Sequence, residues 1–287
     1  MTPRLHASVD GPAGAPVLVL GGSLGTSAAM WRPQLDSLTR RFRVVRYDHL
    51  GHGDSDVPAG PYTIAELGAA VLRLLDDLGV RRPSYAGLSL GGMVGMWLAA
   101  HAPERVDRLA LLCTSAWLGP AESWRERAMA VRSGGIDGIA DTVVARWFTK
   151  GFTVMRPAVL AEYRSMLTSI TAEGYAGCCE AIAAMDLRDE LARVAAPTLV
   201  IAGANDPATP IEHARVLVDR IPGARLRVIG DAAHLASVEQ PKRVTRLLLD
   251  HLDEGGHLDE GDRHDEREPL DESGRIAEGG REERADG

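Results

Sequence analysis

Residues 83–92 read PSYAGLSLGG: a short apolar run leads into Ser89, with Gly87 two positions before it and Gly91 two positions after. A serine hydroxyl is a poor nucleophile unless a base removes its proton, so a serine used in this way must stand clear of its own backbone and face that base. A sharp strand-to-helix turn does this. The backbones two positions either side then crowd each other, and glycine is the residue that fits. The pentad Gly87-Leu88-Ser89-Leu90-Gly91 meets these demands, with an apolar helical stretch, LGGMVGMWLAAHAP, directly behind it. The same turn leaves the Leu90 amide at a helix N-terminus, where it can stabilise a developing oxyanion.

The pattern around this turn points to an α/β sheet. Apolar runs at 16–22, 42–48, 83–88, 107–113, 197–203 and 224–230 lack polar alternation and read as strands buried on both faces. Helical patterns fall between them, at 63–79 behind a capping Thr63, at 90–103, and at 211–222 behind Pro210. Strand followed by helix, repeated, predicts a doubly wound, mostly parallel sheet. More than eighty residues separate Cys113 from Pro197, whereas one strand-helix unit needs about 30. The excess, 118–188, predicts a helical cap that divides the core into 1–117 and 189–252.

The net charge of -8 is unevenly distributed: residues 253–287 hold 14 acidic and 5 basic residues, a tail of -9. With 27 basic against 26 acidic residues, the remainder carries +1 and has no electrostatic footprint for nucleic acid. The tail is too poor in apolar residues to offset ordering entropy and is expected to be disordered. Three cysteines, Cys113 and the adjacent Cys178 and Cys179, make a disulfide framework unsuited and fit a reducing cytoplasm. The N-terminal stretch MTPRLHASVDG lacks an apolar leader region, and no apolar run reaches the length of a membrane span.

A serine nucleophile on this architecture requires an acid and then a histidine later in the chain. LVIAGANDPATP sets Asp206 just past a buried strand, and VIGDAAHLASVEQP sets His234 just past the next. Both fall at the strand ends that gather active sites in open α/β sheets. The expected triad is Ser89, Asp206 and His234, with Asp231 as a turn former and reserve acid. A second oxyanion donor is expected from LGGSLGTSAAMW, where the amide of Ser23 is the candidate beside that of Leu90. The Gly-rich turn DHLGHGDS (48–55) lacks the Lys and helix entry of a phosphate cradle and is assigned to architecture.

Together GLSLGG, GSLGTSAAMWRPQ, YDHLGHGDS, IAGANDPATP and AAHLASVEQP resemble the α/β-hydrolase superfamily, and within it the 3-oxoadipate enol-lactone hydrolases, over residues 5–252. Two departures stand out: LGG replaces a more polar pair before SLGT, and Leu50 occupies a position that is often Arg. The resemblance implies an α/β-hydrolase fold with a helical cap inserted after the sixth strand. It also implies opening of a small enol-lactone through an acyl-serine, with no cofactor and no metal. The substrate class implied is a small lactone or ester that carries a carboxylate, which a cap cation should meet. Arg127, Arg132, Arg146 and Lys150 are candidates, with Trp147, Trp124 and Trp117 as pocket walls. Competing readings are a carboxylesterase, methylesterase or C–C bond hydrolase on the same triad, or a non-catalytic binding protein. A serine at the elbow opposes dehalogenase and epoxide hydrolase chemistry.

Overall fold

The computed structural model describes residues 2–253. Seven strands form the sheet: β1 (Ala7–Asp10), β2 (Val17–Gly21), β3 (Arg43–Tyr47), β4 (Ser84–Leu88), β5 (Leu109–Leu112), β6 (Thr198–Gly203) and β7 (Arg225–Ile229). The helices in chain order are α1 (Arg32–Leu38), α2 (Ile64–Asp77), α3 (Leu90–His101), α4 (Ala121–Gly134), α5 (Asp137–Trp147), α6 (Lys150–Met155), α7 (Pro157–Thr168), α8 (Ala172–Ala184), α9 (Ile211–Arg220), α10 (Ala236–Glu239) and α11 (Pro241–Asp253). Sheet order is β1-β3-β2-β4-β5-β6-β7, and only β1 runs antiparallel to its neighbour.

Six of these strands coincide with the apolar runs. The seventh, β1, has no such signal: it is four half-buried or exposed residues at the sheet margin, paired only to β3. An edge strand of this length offers one buried face and no room for a readable period. Five helices, α4 to α8, lie between β5 and β6. The insertion therefore follows the fifth strand of this chain, one strand earlier than the count implied by the resemblance. The residues as far as Leu252 cluster as one compact unit. Beyond Asp253 the predicted tail lies outside the described residues.

Sheet order places the site. From β2 the chain crosses to β3 on one side, then returns past β2 to β4 on the other. Right-handed crossovers running in opposite directions put α1 and α2 on opposite faces, and leave a crevice beyond the ends of β2 and β4. The loop after β2 and the turn holding Ser89 both open on that crevice. In the β2–β4 register Gly21 lies opposite Gly87. A Cβ on Gly91 would collide with the carbonyl of Gly21 and lie 2.9 Å from its Cα, and a Cβ on Gly87 would meet Gly91 O and lie 2.6 Å from Gly92 N. Side-chain-free backbone at these three positions lets α3 start directly against β2.

Local signals support the frame. The Thr63 hydroxyl accepts the Glu66 amide and Glu66 accepts the Thr63 amide, a reciprocal cap that starts α2 and contributes about 1 kcal/mol. Helix α3 is buried almost all round, which is why its sequence shows little amphipathic period.

Gly91→Ala should lower stability by about 2 kcal/mol through overpacking against backbone that cannot move aside, a fall in Tm of about 5 °C. Gly138→Ala on α5, where a Cβ meets nothing within 4 Å, should leave Tm unchanged or raise it. Thermal unfolding of the two variants checks the contrast.

Candidate active site

Ser89 occupies φ 54 and ψ -113, a conformation that non-glycine residues rarely adopt and that costs about 1–3 kcal/mol. The surroundings hold it there. Its amide donates to Leu112 O at 2.9 Å, and its carbonyl accepts the Thr114 hydroxyl at 2.7 Å and the Met93 amide at 3.0 Å. The Ser89 hydroxyl makes no hydrogen bond among the described residues and opens on a cavity of about 270 Å³.

His234 lines the same cavity, from the loop after β7. Its Nδ1 donates to Asp206 Oδ2 at 2.8 Å. Asp206, in the loop after β6, also accepts the Thr209 hydroxyl at 2.6 Å and the amides of Ala208 and Thr209 at 2.7 and 3.0 Å. Burial pushes this carboxyl up, but the His234 ring and the Thr209 donors outweigh it and hold Asp206 at about 2. A carboxylate ionised at every working pH fixes the imidazole with its proton on Nδ1 and leaves Nε2 as the acceptor. Ser89 and His234 are not hydrogen-bonded to each other here, a contact that in such sites tightens when substrate binds.

The histidine loop is anchored by the inserted helices. Leu235 N donates to Trp147 O at 2.9 Å, and buried Glu239 accepts the Ala233 amide at 2.5 Å together with the Thr149 amide and hydroxyl at 2.9 and 2.7 Å. Asp231, the reserve acid, adopts φ 51 and is exposed, so it shapes the turn.

The loop after β2 departs from expectation. Ser23 lines the cavity, but its amide is directed at Met30 Sδ at 3.2 Å. The next amide, of Leu24, has no acceptor among the described residues, and neither has that of Leu90. The unspent donor pair is therefore Leu24 and Leu90. The thioether of a methionine seven residues away decides this, which no reading of SLGT alone could supply.

The turn at 48–55, assigned to architecture, holds this loop in place. The Nε2–H of His49 donates to Gly22 O at 2.9 Å, beside the Gly91 amide on the same carbonyl. His52 donates from Nδ1 to Leu50 O at 3.1 Å and accepts the Gly25 amide on Nε2 at 3.0 Å. Burial pushes both imidazoles down to about 4, with the Gly22 carbonyl and Asp48 partly offsetting it for His49, and with His49 adding to it for His52. The signal available in the sequence was two histidines interleaved with glycines. Leu50 itself is buried, which makes its departure from Arg a packing change.

The cavity walls include Leu118, Trp124, Trp147 and Tyr175, with Arg127, Arg146 and His213 among the polar groups. Trp124 and Trp147 thus stand where expected, whereas Trp117 is 43% exposed and lies outside the lining. Arg146 lines the cavity and donates to Pro207 O at 3.0 Å, and Arg127 stacks over Trp124 at 4.7 Å. Arg132 does not line it. Its guanidinium, near the end of α4, is clamped between Glu173 and Glu180 of α8 at 2.5–3.0 Å, which satisfies its charge and turns it away from the site. Lys150 also lies outside the lining. Tyr175 and His213 are among the lining residues that sequence reading missed, since nothing local distinguishes them from helix-packing positions.

Among the described residues, His6, Asp48 and Asp54 form the one cluster with metal-ligand spacing. Asp48 is spent within the fold: Oδ1 accepts the Ala28 amide at 2.6 Å, and Oδ2 takes the Asp54 amide and the His6 ring. No described helix is long and apolar enough to cross a membrane.

The family model of the alpha/beta hydrolase fold matches residues 15–241. The chain is a member of the α/β-hydrolase family. This hydrolase is 41% identical to 3-oxoadipate enol-lactonase 2 of Acinetobacter baylyi, over 83% of its own length and 89% of that protein's. It superimposes with TM-score 0.86 on the crystal structure of the enol-lactonase from Burkholderia xenovorans LB400, at 42% identity, covering 88% of this chain and 97% of that one. A hydrolase from Pseudomonas aeruginosa PA01 superimposes with TM-score 0.85 at 47% identity, covering 87% of this chain and 94% of that one.

The buried histidines set an acid limit on stability. Unfolded, each takes up a proton near 6.5; folded, each does so only at about 4. The unfolded state binds more protons across that interval, so stability is intact above pH 6.5 and falls as pH drops towards 4, together by several kcal/mol. Urea unfolding between pH 4 and 8 should show this slope. His52→Gln, which keeps an acceptor for the Gly25 amide, should flatten it.

Proposed function

We propose that this hydrolase opens 3-oxoadipate enol-lactone to 3-oxoadipate through an acyl-serine. The observation that carries the reading is the Asp206–His234 pair sharing one 270 Å³ cavity with the strained Ser89, and the enol-lactonase relatives supply the substrate class. Ser89 Oγ attacks the ring carbonyl as its proton passes to His234 Nε2. The amides of Leu90 and Leu24 hold the tetrahedral oxyanion; removing one such donor costs about 100- to 1000-fold in rate. The ring C–O bond then breaks, the enol oxygen leaves with the proton from His234, and water activated by the same ring releases the acid. The chemistry calls for no cofactor.

The cavity suits a small anionic lactone. Its apolar walls are the aromatic rings of Trp124, Trp147 and Tyr175, and its cations are Arg127 and Arg146. Arg127 is the better partner for the substrate carboxylate, because stacking on Trp124 and a hydrogen bond to Tyr175 order its planar guanidinium at the cavity wall.

Ser89→Ala should abolish turnover of the enol-lactone, and Asp206→Asn should lower kcat by about 10⁴-fold with KM little altered, because the imidazole loses its useful tautomer. Steady-state assays against the lactone and 4-nitrophenyl acetate test the reading. Ester turnover without lactone turnover in the wild type would replace it with a simple esterase. Arg127→Gln should raise KM for the anionic lactone by about tenfold or more, with a smaller effect on the neutral ester.

A further inference from the structure

His213 is a second histidine in the cavity, on the first turn of α9, and the triad does not use it. Its tautomer follows from its neighbour. The Ser115 hydroxyl has a single proton, and it goes to Trp117 O at 2.5 Å. Ser115 Oγ is therefore an acceptor towards everything else it meets: the Trp117 amide at 3.1 Å and His213 Nδ1 at 2.8 Å. His213 must carry its proton on Nδ1, and its Nε2 is a bare lone pair with no hydrogen-bond partner among the described residues. Burial lowers the basicity of this ring, against the opposing charges of Asp206 and Glu212, which keeps it neutral. Of the groups that line the cavity with it, Arg127, Arg146, Tyr175 and His234 are titratable, and Asp206 and Glu212 are the charges that bear on its ring.

A neutral acceptor fixed in a cavity built for an anion is unsuited to the substrate's carboxylate. It suits a hydroxyl that exists only after ring opening. In an open-chain ester the leaving alcohol diffuses away. In a lactone the leaving oxygen stays tethered to the acyl-serine, and unless it is held back it can attack the acyl carbon and close the ring again. We propose that His213 Nε2 accepts the hydrogen bond of the enol hydroxyl released by ring opening, and so favours lactones over open esters at this site. This rests on the lactonase reading given above. The balance is simple: the ring C–O bond breaks, the oxygen gains the proton that His234 took from Ser89, and that O–H donates to His213. As the enol ketonises, His213 takes the proton from oxygen while water delivers one to the neighbouring carbon, and the ring returns its proton to solvent.

The test compares His213→Phe and His213→Gln on the enol-lactone and on 4-nitrophenyl acetate, whose alcohol leaves freely. The phenylalanine variant should lower kcat on the lactone by about 100-fold, within the usual range for a lost acid–base partner, and at least tenfold more than on the ester. Glutamine, whose amide oxygen restores an acceptor, should recover about tenfold of the lactone loss. Ser115→Ala, which releases the tautomer without filling the cavity, should lower lactone turnover several-fold. Equal losses on both substrates would mark His213 as packing only and overturn the proposal, as would a phenylalanine variant with full lactone activity. A wild type that opens no enol-lactone would overturn the lactonase reading with it, whereas an active wild type with unselective variants would overturn this assignment alone.

Discussion

The molecule depends on one close approach of backbone to backbone, among Gly21, Gly87 and Gly91. With no side chains between them, α3 begins against the end of β2, and Ser89 is driven into its left-handed turn. The same contact places the loop after β2 beside Ser89, with Gly91 N on Gly22 O. A serine at φ 54 would relax if its surroundings allowed it. The Leu112 carbonyl, the Thr114 hydroxyl and the body of an almost fully buried helix over-determine the turn, so the strain persists.

Electrostatic order follows from burial. The site separates groups that must be charged from groups that must not: Asp206 is kept ionised by four donors, while His49 and His52 are kept neutral by the dry turn around them. Their neutrality lets His49 donate to one carbonyl and His52 accept one amide, and the loop carrying Leu24 is positioned as a result. The same histidines tie the acid stability of the fold to the integrity of the loop after β2. On the other side, the inserted helices are fastened to the histidine loop through Trp147 and Thr149, so the residues that wall the cavity also position His234.

Much of this was legible beforehand. Buried parallel strands advertise themselves as apolar runs, and the inner ones did so; β7, expected to be buried on both faces, is instead a largely exposed edge strand carrying Arg225 and Arg227. The other edge strand, β1, showed no such run, because four half-exposed residues carry no period. Arg132 and Arg146 look equivalent in sequence, both cations on inserted helices, yet one is consumed by two glutamates of α8 and the other reaches the cavity. Helix-to-helix rotation and register decide that difference, and neither is encoded locally. Ser23 illustrates the same limit at shorter range: the loop was correctly located, but the partner of each amide depends on how Met30 folds back.

By itself the sequence determined the sheet order's raw material, the elbow at Ser89, and the order in which Ser89, Asp206 and His234 follow one another at strand ends, because each is written in short-range pattern: apolar runs, paired glycines, a loop at a strand end. Only the tertiary structure decided which amides remain unspent, which cations line the cavity, and that a second histidine, His213, stands in its wall. Those outcomes depend on which long-range partner satisfies each polar group first, and a hydrogen bond made elsewhere is invisible to a reading that sees one neighbourhood at a time.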